Sequence, residues 1–188
     1  MAIVTETRDV RDFDEVVVQG RGELILEQGD VESVVIEADE AAMSHVKAVV
    51  EGRRLVLGLE HWWDHLLLPT ALLRFRVSAV TVKRVMISGS GTVKAERLRS
   101  DDLHLEISGS GDMAFPQLTA RAVSLGISGG GKMMVVAEHA VGRVHPEPAG
   151  TGQIGLDPRM QCPLRILLCV AELAEVAAGE SRRQPELP

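Results

Sequence analysis

The chain has 188 residues, 45% of them apolar and 25% charged, which suits one soluble domain with enough material for a core. Aromatic residues make up only 3%, tyrosine is missing, and the formal charge is −7. Such a chain is poor material for stacking bases, and its overall field repels nucleic acid and anionic membrane.

The start, Met1 to Thr7, has neither the basic residues nor the apolar run of a signal peptide, so the chain as written is read as unexported and cytoplasmic. No stretch reaches the roughly 18 consecutive apolar residues of a spanning helix, so no transmembrane segment is expected. Residues 13 to 60 read as a β-meander. Val16 to Val18 lead into Gln19-Gly20-Arg21-Gly22, Leu24 and Leu26 alternate with Glu23 and Glu27, and Gln28-Gly29-Asp30 marks a turn before Val34-Val35-Ile36. Asp39 to Met43 suits a short helical turn, and Glu51-Gly52-Arg53 suits a hairpin between Val46–Val50 and Leu55–Leu59. His61 to Thr70 interrupts the pattern with both tryptophans and a proline, and Leu73 to Val77 resumes strand alternation.

From Met86 to Lys132 one signal recurs three times at a spacing of twenty residues: Ile87-Ser88-Gly89-Ser90-Gly91, Ile107-Ser108-Gly109-Ser110-Gly111 and Ile127-Ser128-Gly129-Gly130-Gly131. Written in twenties, Val85, Leu105 and Leu125 share a column, as do Val93, Met113 and Met133. The period-two alternation on both sides of the glycines predicts two or three short strands per row, with the glycines at a corner that needs φ > 0 or close backbone approach. A fixed period without insertions predicts one unit stacked on itself. The predicted structural turn residues are Ser88, Gly89, Gly91, Ser108, Gly109, Gly111, Ser128, Gly129 and Gly131, with Val18 to Gly22 as an earlier, degenerate copy.

Regularity ends near Ala140, and Val144 to Pro148 cannot supply a central strand because proline has no amide donor. Leu164, Leu167, Leu168, Ala171, Ala174 and Ala178 have helical spacing, with Gly179 as C-cap. Cys162 and Cys169 on such a helix lie roughly 10 Å apart along its axis, too far for a disulfide. The expected architecture is all-β: a right-handed parallel β-helix with an N-terminal β-meander and a C-terminal capping helix. One domain is expected over 10–160, with repeat coils at 81–140, the helix at 161–180 and a disordered tail at 181–188.

Val31 to Glu37, the hairpin strands from Val46 to Leu57, Leu68-Pro69-Thr70 running into Leu73–Val77, and the three Ile-Ser-Gly-x-Gly copies together resemble the head GIN domain family of putative bacterial autotransporter adhesins. The resemblance covers roughly residues 10 to 137. It implies the right-handed β-helix, no known catalytic residues, and adhesion at the cell envelope. The chain departs from the family's pattern in lacking an export signal and in the changed character of residues 140–188.

Gly126 to Met133 nearly spells a phosphate-binding loop, but Met133 replaces the hydroxyl residue and a strand is expected to follow. His61 and His65 have i, i+4 spacing without a third zinc ligand nearby. Gly109 to Asp112 looks like a calcium-binding turn, yet the equivalent positions carry Thr92 and Lys132. Ser88, Ser108 and Ser128 are expected to bond one another or the turn backbone. His104 has no catalytic partner defined by spacing, and neither Glu106 nor Asp112 is selected as half of a carboxylate pair. No enzyme activity, cofactor or metal is therefore expected. The leading expectation is a non-enzymatic adhesion-type module at the envelope whose partner is a cell-surface glycan or protein. The rival is a self-associating cytosolic β-helix of the bactofilin type.

Overall fold

The computed structural model describes residues 2–60, 72–144 and 153–156, with side chains described as far as residue 136. Alternation sets the first strands, β1 (Ile3–Arg8), β2 (Glu15–Gly20), β3 (Glu23–Gln28) and β4 (Ser33–Asp39). In β4, for example, Val34, Ile36 and Ala38 are buried while the residues between them stay half exposed. One helical turn, α1 (Glu40–Met43), precedes the hairpin β5 (Val46–Glu51) and β6 (Arg54–Leu59). Then come β7 (Leu73–Ala79), β8 (Arg84–Gly89), β9 (Thr92–Lys94), β10 (Leu98–Gly109), β11 (Asp112–Gly129), β12 (Lys132–Val144) and β13 (Gln153–Leu156).

All thirteen described strands belong to one sheet. Eleven follow in the order β1-β4-β7-β3-β9-β11-β10-β8-β2-β6-β5, and β12 and β13 branch from β11. β11 appears once in that path but supplies two edges: Asp112–Ala114 pairs with β9, and Leu118–Gly129 pairs with β10. Its register against β12 breaks between Phe115 and Leu118, around Pro116, which has no amide to give the ladder. β1/β4, β4/β7 and β5/β6 are antiparallel, and the other pairs are parallel. The two ends of the path approach each other, since Arg8 of β1 donates from Nη1 to the Val46 carbonyl of β5 at 3.1 Å. Beside them Glu40 N donates to Ala2 O at 3.0 Å, and Ala42 of α1 is fully buried.

The result is a nearly closed barrel of mixed strand orientation, which corrects the expected right-handed parallel β-helix. The N-terminal strands have no constant period, and β1, β4 and β7 close one side of the barrel by antiparallel pairing. The expected β-meander is corrected as well. Among the strands of residues 13–60 only β5 and β6 pair with their neighbour in sequence, whereas β2 lies between β6 and β8, and β3 between β7 and β9. In place of two or three short strands per row, β10, β11 and β12 are long strands of 12, 18 and 13 residues. The predicted helix at 161–180 and tail at 181–188 lie outside the described residues, among which α1 is the one α-helix.

A single core fills the sheet's inner face. Val18, Ile87, Ile107 and Ile127 meet in register across four strands, as do Val16, Val85, Leu105 and Leu125. Leu24, Val93, Met113 and Met133 form a third row. Burying each such side chain contributes roughly 1.5–3 kcal/mol, so these rows dominate the stability of the repeat region.

Candidate binding face

The parallel strands β6, β2, β8, β10 and β11 place like positions side by side on the outer face as well as the inner one. Three rows cross them. The first is Arg54, Glu15, Arg84, His104 and Ser124, and the second is Val56, Val17, Met86, Glu106 and Gly126. The third is Gln19, Ser88, Ser108 and Ser128, all exposed. The rows are straight because the pairing has no register shift across β2, β8, β10 and the second half of β11 in these positions.

Beside the serine row the chain turns at glycine. Gly20, Gly89, Gly109 and Gly129 pair in register with φ of +76°, +136°, +131° and +131°. Ser90 N donates to Gly20 O and Ser110 N to Gly89 O, both at 2.9 Å, which brings neighbouring backbones into close approach. Gly91, Gly111 and Gly131 follow the same course. A Cβ on Gly111 would stand 2.6 Å from both Gly91 O and Ile87 Cγ2. The hydroxyls of Ser88, Ser108 and Ser128 point outward and, among the described residues, bond neither one another nor the turn backbone, contrary to expectation.

At the other end of these strands a groove of about 610 Å³ runs across the sheet, its lining including Glu15, Lys83, Arg84, Asp102, His104 and Ser124. Most of its charges are neutralised from within the protein. Glu15 accepts from Arg54 Nε at 3.0 Å, Asp102 pairs with Arg121, and Lys83 Nζ sits 2.8 Å from Asp14 Oδ2. His104 Nε2 lies 3.3 Å from Glu106 Oε2. The half-buried Arg84 guanidinium and the Ser124 hydroxyl have no partner among the described residues. A second groove, about 870 Å³, lies where β3 meets the bend of β11. There Gln28 ties strands together, donating to Val80 O and Arg99 O and accepting from Arg99 N at 2.8 Å.

Asp14 holds two residues of the first groove, Lys83 and Arg84, in place. Its carboxylate is buried and accepts from Arg53 Nε and Nη2 at 3.0 and 2.9 Å, and these bonds, with Lys83 beside them, hold it below the usual carboxylate range despite burial. Its carbonyl accepts from Lys83 N at 2.7 Å, fixing the loop that delivers Arg84. Glu23 is held low in the same way, first by Lys94 and then by Arg74.

The other sequence candidates separate. Lys132 opens strand β12, so no helix N-terminus follows the glycines to face a phosphate. Asp112 is flanked in register by Thr92 and Lys132, and the lysine opposes a cation there. His61 and His65 lie outside the described residues, among which no three His, Cys, Asp or Glu residues gather as a metal site. No helix among them is long and apolar enough to cross a membrane. Sequence reasoning singled out His104 but missed Arg84 and Ser124. All three occupy one column of the twenty-residue alignment, and that polar column was the available signal. Asp14 carries no such mark.

A single mixed sheet rolled about one core, with an outer face of repeated side-chain rows, defines an all-β sheet domain. The chain belongs to the family described as "putative auto-transporter adhesin, head GIN domain", which it matches over residues 12–156. Three crystal structures share the fold. A putative adhesin from Parabacteroides distasonis ATCC 8503 is 18% identical with TM-score 0.55, covering 82% of this chain and 77% of that one. A putative lipid binding protein from the same organism is 14% identical with TM-score 0.51, covering 82% and 94%. A putative cell adhesion protein from Clostridium sporogenes ATCC 15579 is 13% identical with TM-score 0.51, covering 82% and 99%. Comparison with curated proteins returns no match.

Proposed function

We propose that this chain is a non-enzymatic adhesion module of the bacterial cell envelope that recognises a surface glycan through the outer face of β2, β8, β10 and β11. One observation carries the reading: polar side chains stand in straight rows beside an open groove on a paired, rigid sheet. A ligand with its own repeat can meet several equivalent groups there at the spacing of about 4.8 Å between strands. Weak contacts then add by avidity. The family's description as an adhesin supports the same reading. A protein partner would draw on exposed aromatic anchors, and the aromatics among the described residues, Phe13, Phe75 and Phe115, are all buried.

The test uses the labelled full chain on immobilised envelope glycans and on intact bacterial cells. Retention that soluble glycan competes away is the expected result. Release of new reducing ends from the glycan would overturn the non-enzymatic reading. Sedimentation as long polymers, with no retention on either surface, would replace adhesion by self-assembly.

A further inference from the structure

We infer that the groove beside Arg84 binds a carboxylate-bearing sugar residue, a uronate or sialate, with Arg84 as the anion-recognising group. The inference rests on the glycan-adhesion reading and specifies its ligand. Three observations combine. The groove, at about 610 Å³, falls within the roughly 300–1,000 Å³ of small-ligand sites. Glu15 is paired with Arg54, Asp102 with Arg121, and Lys83 shares Asp14 with Arg53, so Arg84 is the cation of the lining whose guanidinium has no ion-pair partner among the described residues. In its row Arg84 stands between Glu15, which is paired with Arg54, and His104, and His104 with Ser124 beyond it supplies further polar groups along one straight line.

A guanidinium matches a carboxylate with two parallel N–H···O bonds, which a lysine in its place cannot form. Ser124, free among the described residues, can bond a ring hydroxyl at the same time. None of the described residues lining this groove is aromatic, so recognition by them rests on charge and hydrogen bonds. The net charge of −7 makes this selective: an acidic ligand is repelled over most of the surface and accepted where Arg84 stands open.

The experiment titrates the isotope-labelled full chain with D-glucuronate and, separately, D-glucose, following the Arg84 Nε–H and Ser124 amide signals. It then measures binding of short oligogalacturonates and sialyllactose against their neutral methyl esters. Glucuronate is expected to shift both signals and glucose neither, and the acidic glycans are expected to bind more tightly than their esters. Arg84→Gln should weaken acidic binding roughly tenfold to a hundredfold while keeping the wild-type melting temperature. Arg99→Gln, at the second groove, should change nothing. Equal binding of acids and esters, untouched by Arg84→Gln, would overturn the inference and leave glycan adhesion standing. Failure of every glycan and every cell type to retain the chain would remove both. A response to inorganic phosphate or phosphatidylglycerol vesicles, with glucuronate silent, would also overturn it.

Discussion

Placing a methyl group on Gly111 tests how the strand turns are held so close together. Gly111 has no positive φ, so its alanine variant suffers only from space: the new Cβ would stand 2.6 Å from Gly91 O, a backbone atom that cannot swing aside. Forcing such neighbours apart costs roughly 1–3 kcal/mol. Gly52 is the converse, with φ +67° and nothing within 4 Å of its Cβ position, so Gly52→Ala feels backbone conformation alone, about 1–2 kcal/mol. Gly109 has φ of +131° and also abuts Gly89 O. Its variant should therefore lose both amounts, about 2–5 kcal/mol together. Gly126 has neither constraint, its nearest atom being Glu106 Cγ at 3.8 Å, and Gly126→Ala should be neutral or gain about 0.5 kcal/mol by restricting the unfolded chain. Urea unfolding followed by circular dichroism measures all four at a constant m-value. By thermal melting, each kcal/mol should appear as about 2–4 °C for a chain of this size. If Gly109→Ala proves no worse than Gly52→Ala, close backbone approach is not what selects glycine at the repeat turns.

Asp14→Asn should cost about 2 kcal/mol at neutral pH, because the buried acceptor of three cationic donor atoms loses its charge. The folded pKa of Asp14 lies below its unfolded value of about 4, so this stability is complete above that value and disappears as pH falls through the folded pKa. The gap between wild type and variant, followed by urea midpoint against pH, should therefore close only in acid; a gap that persists there would refute the ion-pair account. Glu23→Gln should cost less than about 1 kcal/mol, since Lys94 and Arg74 are partly exposed and salt screens them; a larger loss in high salt would contradict this. Ile107→Ala, fully buried between Ile87 and Ile127, should cost about 2–5 kcal/mol in the same unfolding assay, and a loss below 1 kcal/mol would mean the row is loosely packed.

Strand positions and inward faces were legible wherever alternation was clean. The pairing of Ile87 with Ile107 and Ile127 follows a period that any reader of the chain can count. Even Val18 to Gly22 carried enough of the signal to be placed, and it does lie against the copy that starts at Ile87, through Val18↔Ile87 and Gly20↔Gly89. The direction and order of the other strands were not legible. Val34 opposes Val77 and Arg8 approaches Val46 across long separations, and a β-branched run carries no mark of whether its partner runs with it or against it. The groove was half legible, because the polar column was visible while the ion pairs that isolate Arg84 draw on Asp14, Arg54 and Arg121 from elsewhere.

By itself, then, the amino-acid order determined the repeat spacing, the glycine turns and the aliphatic rows, since these depend on neighbours a constant distance along the chain. Only tertiary structure decided that the sheet mixes orientations and rolls nearly shut, and that Arg84 on its outer face has no ion-pair partner among the described residues. Backbone hydrogen bonds are the same for every residue type, so strand order is settled by how the whole set of apolar faces shares one interior.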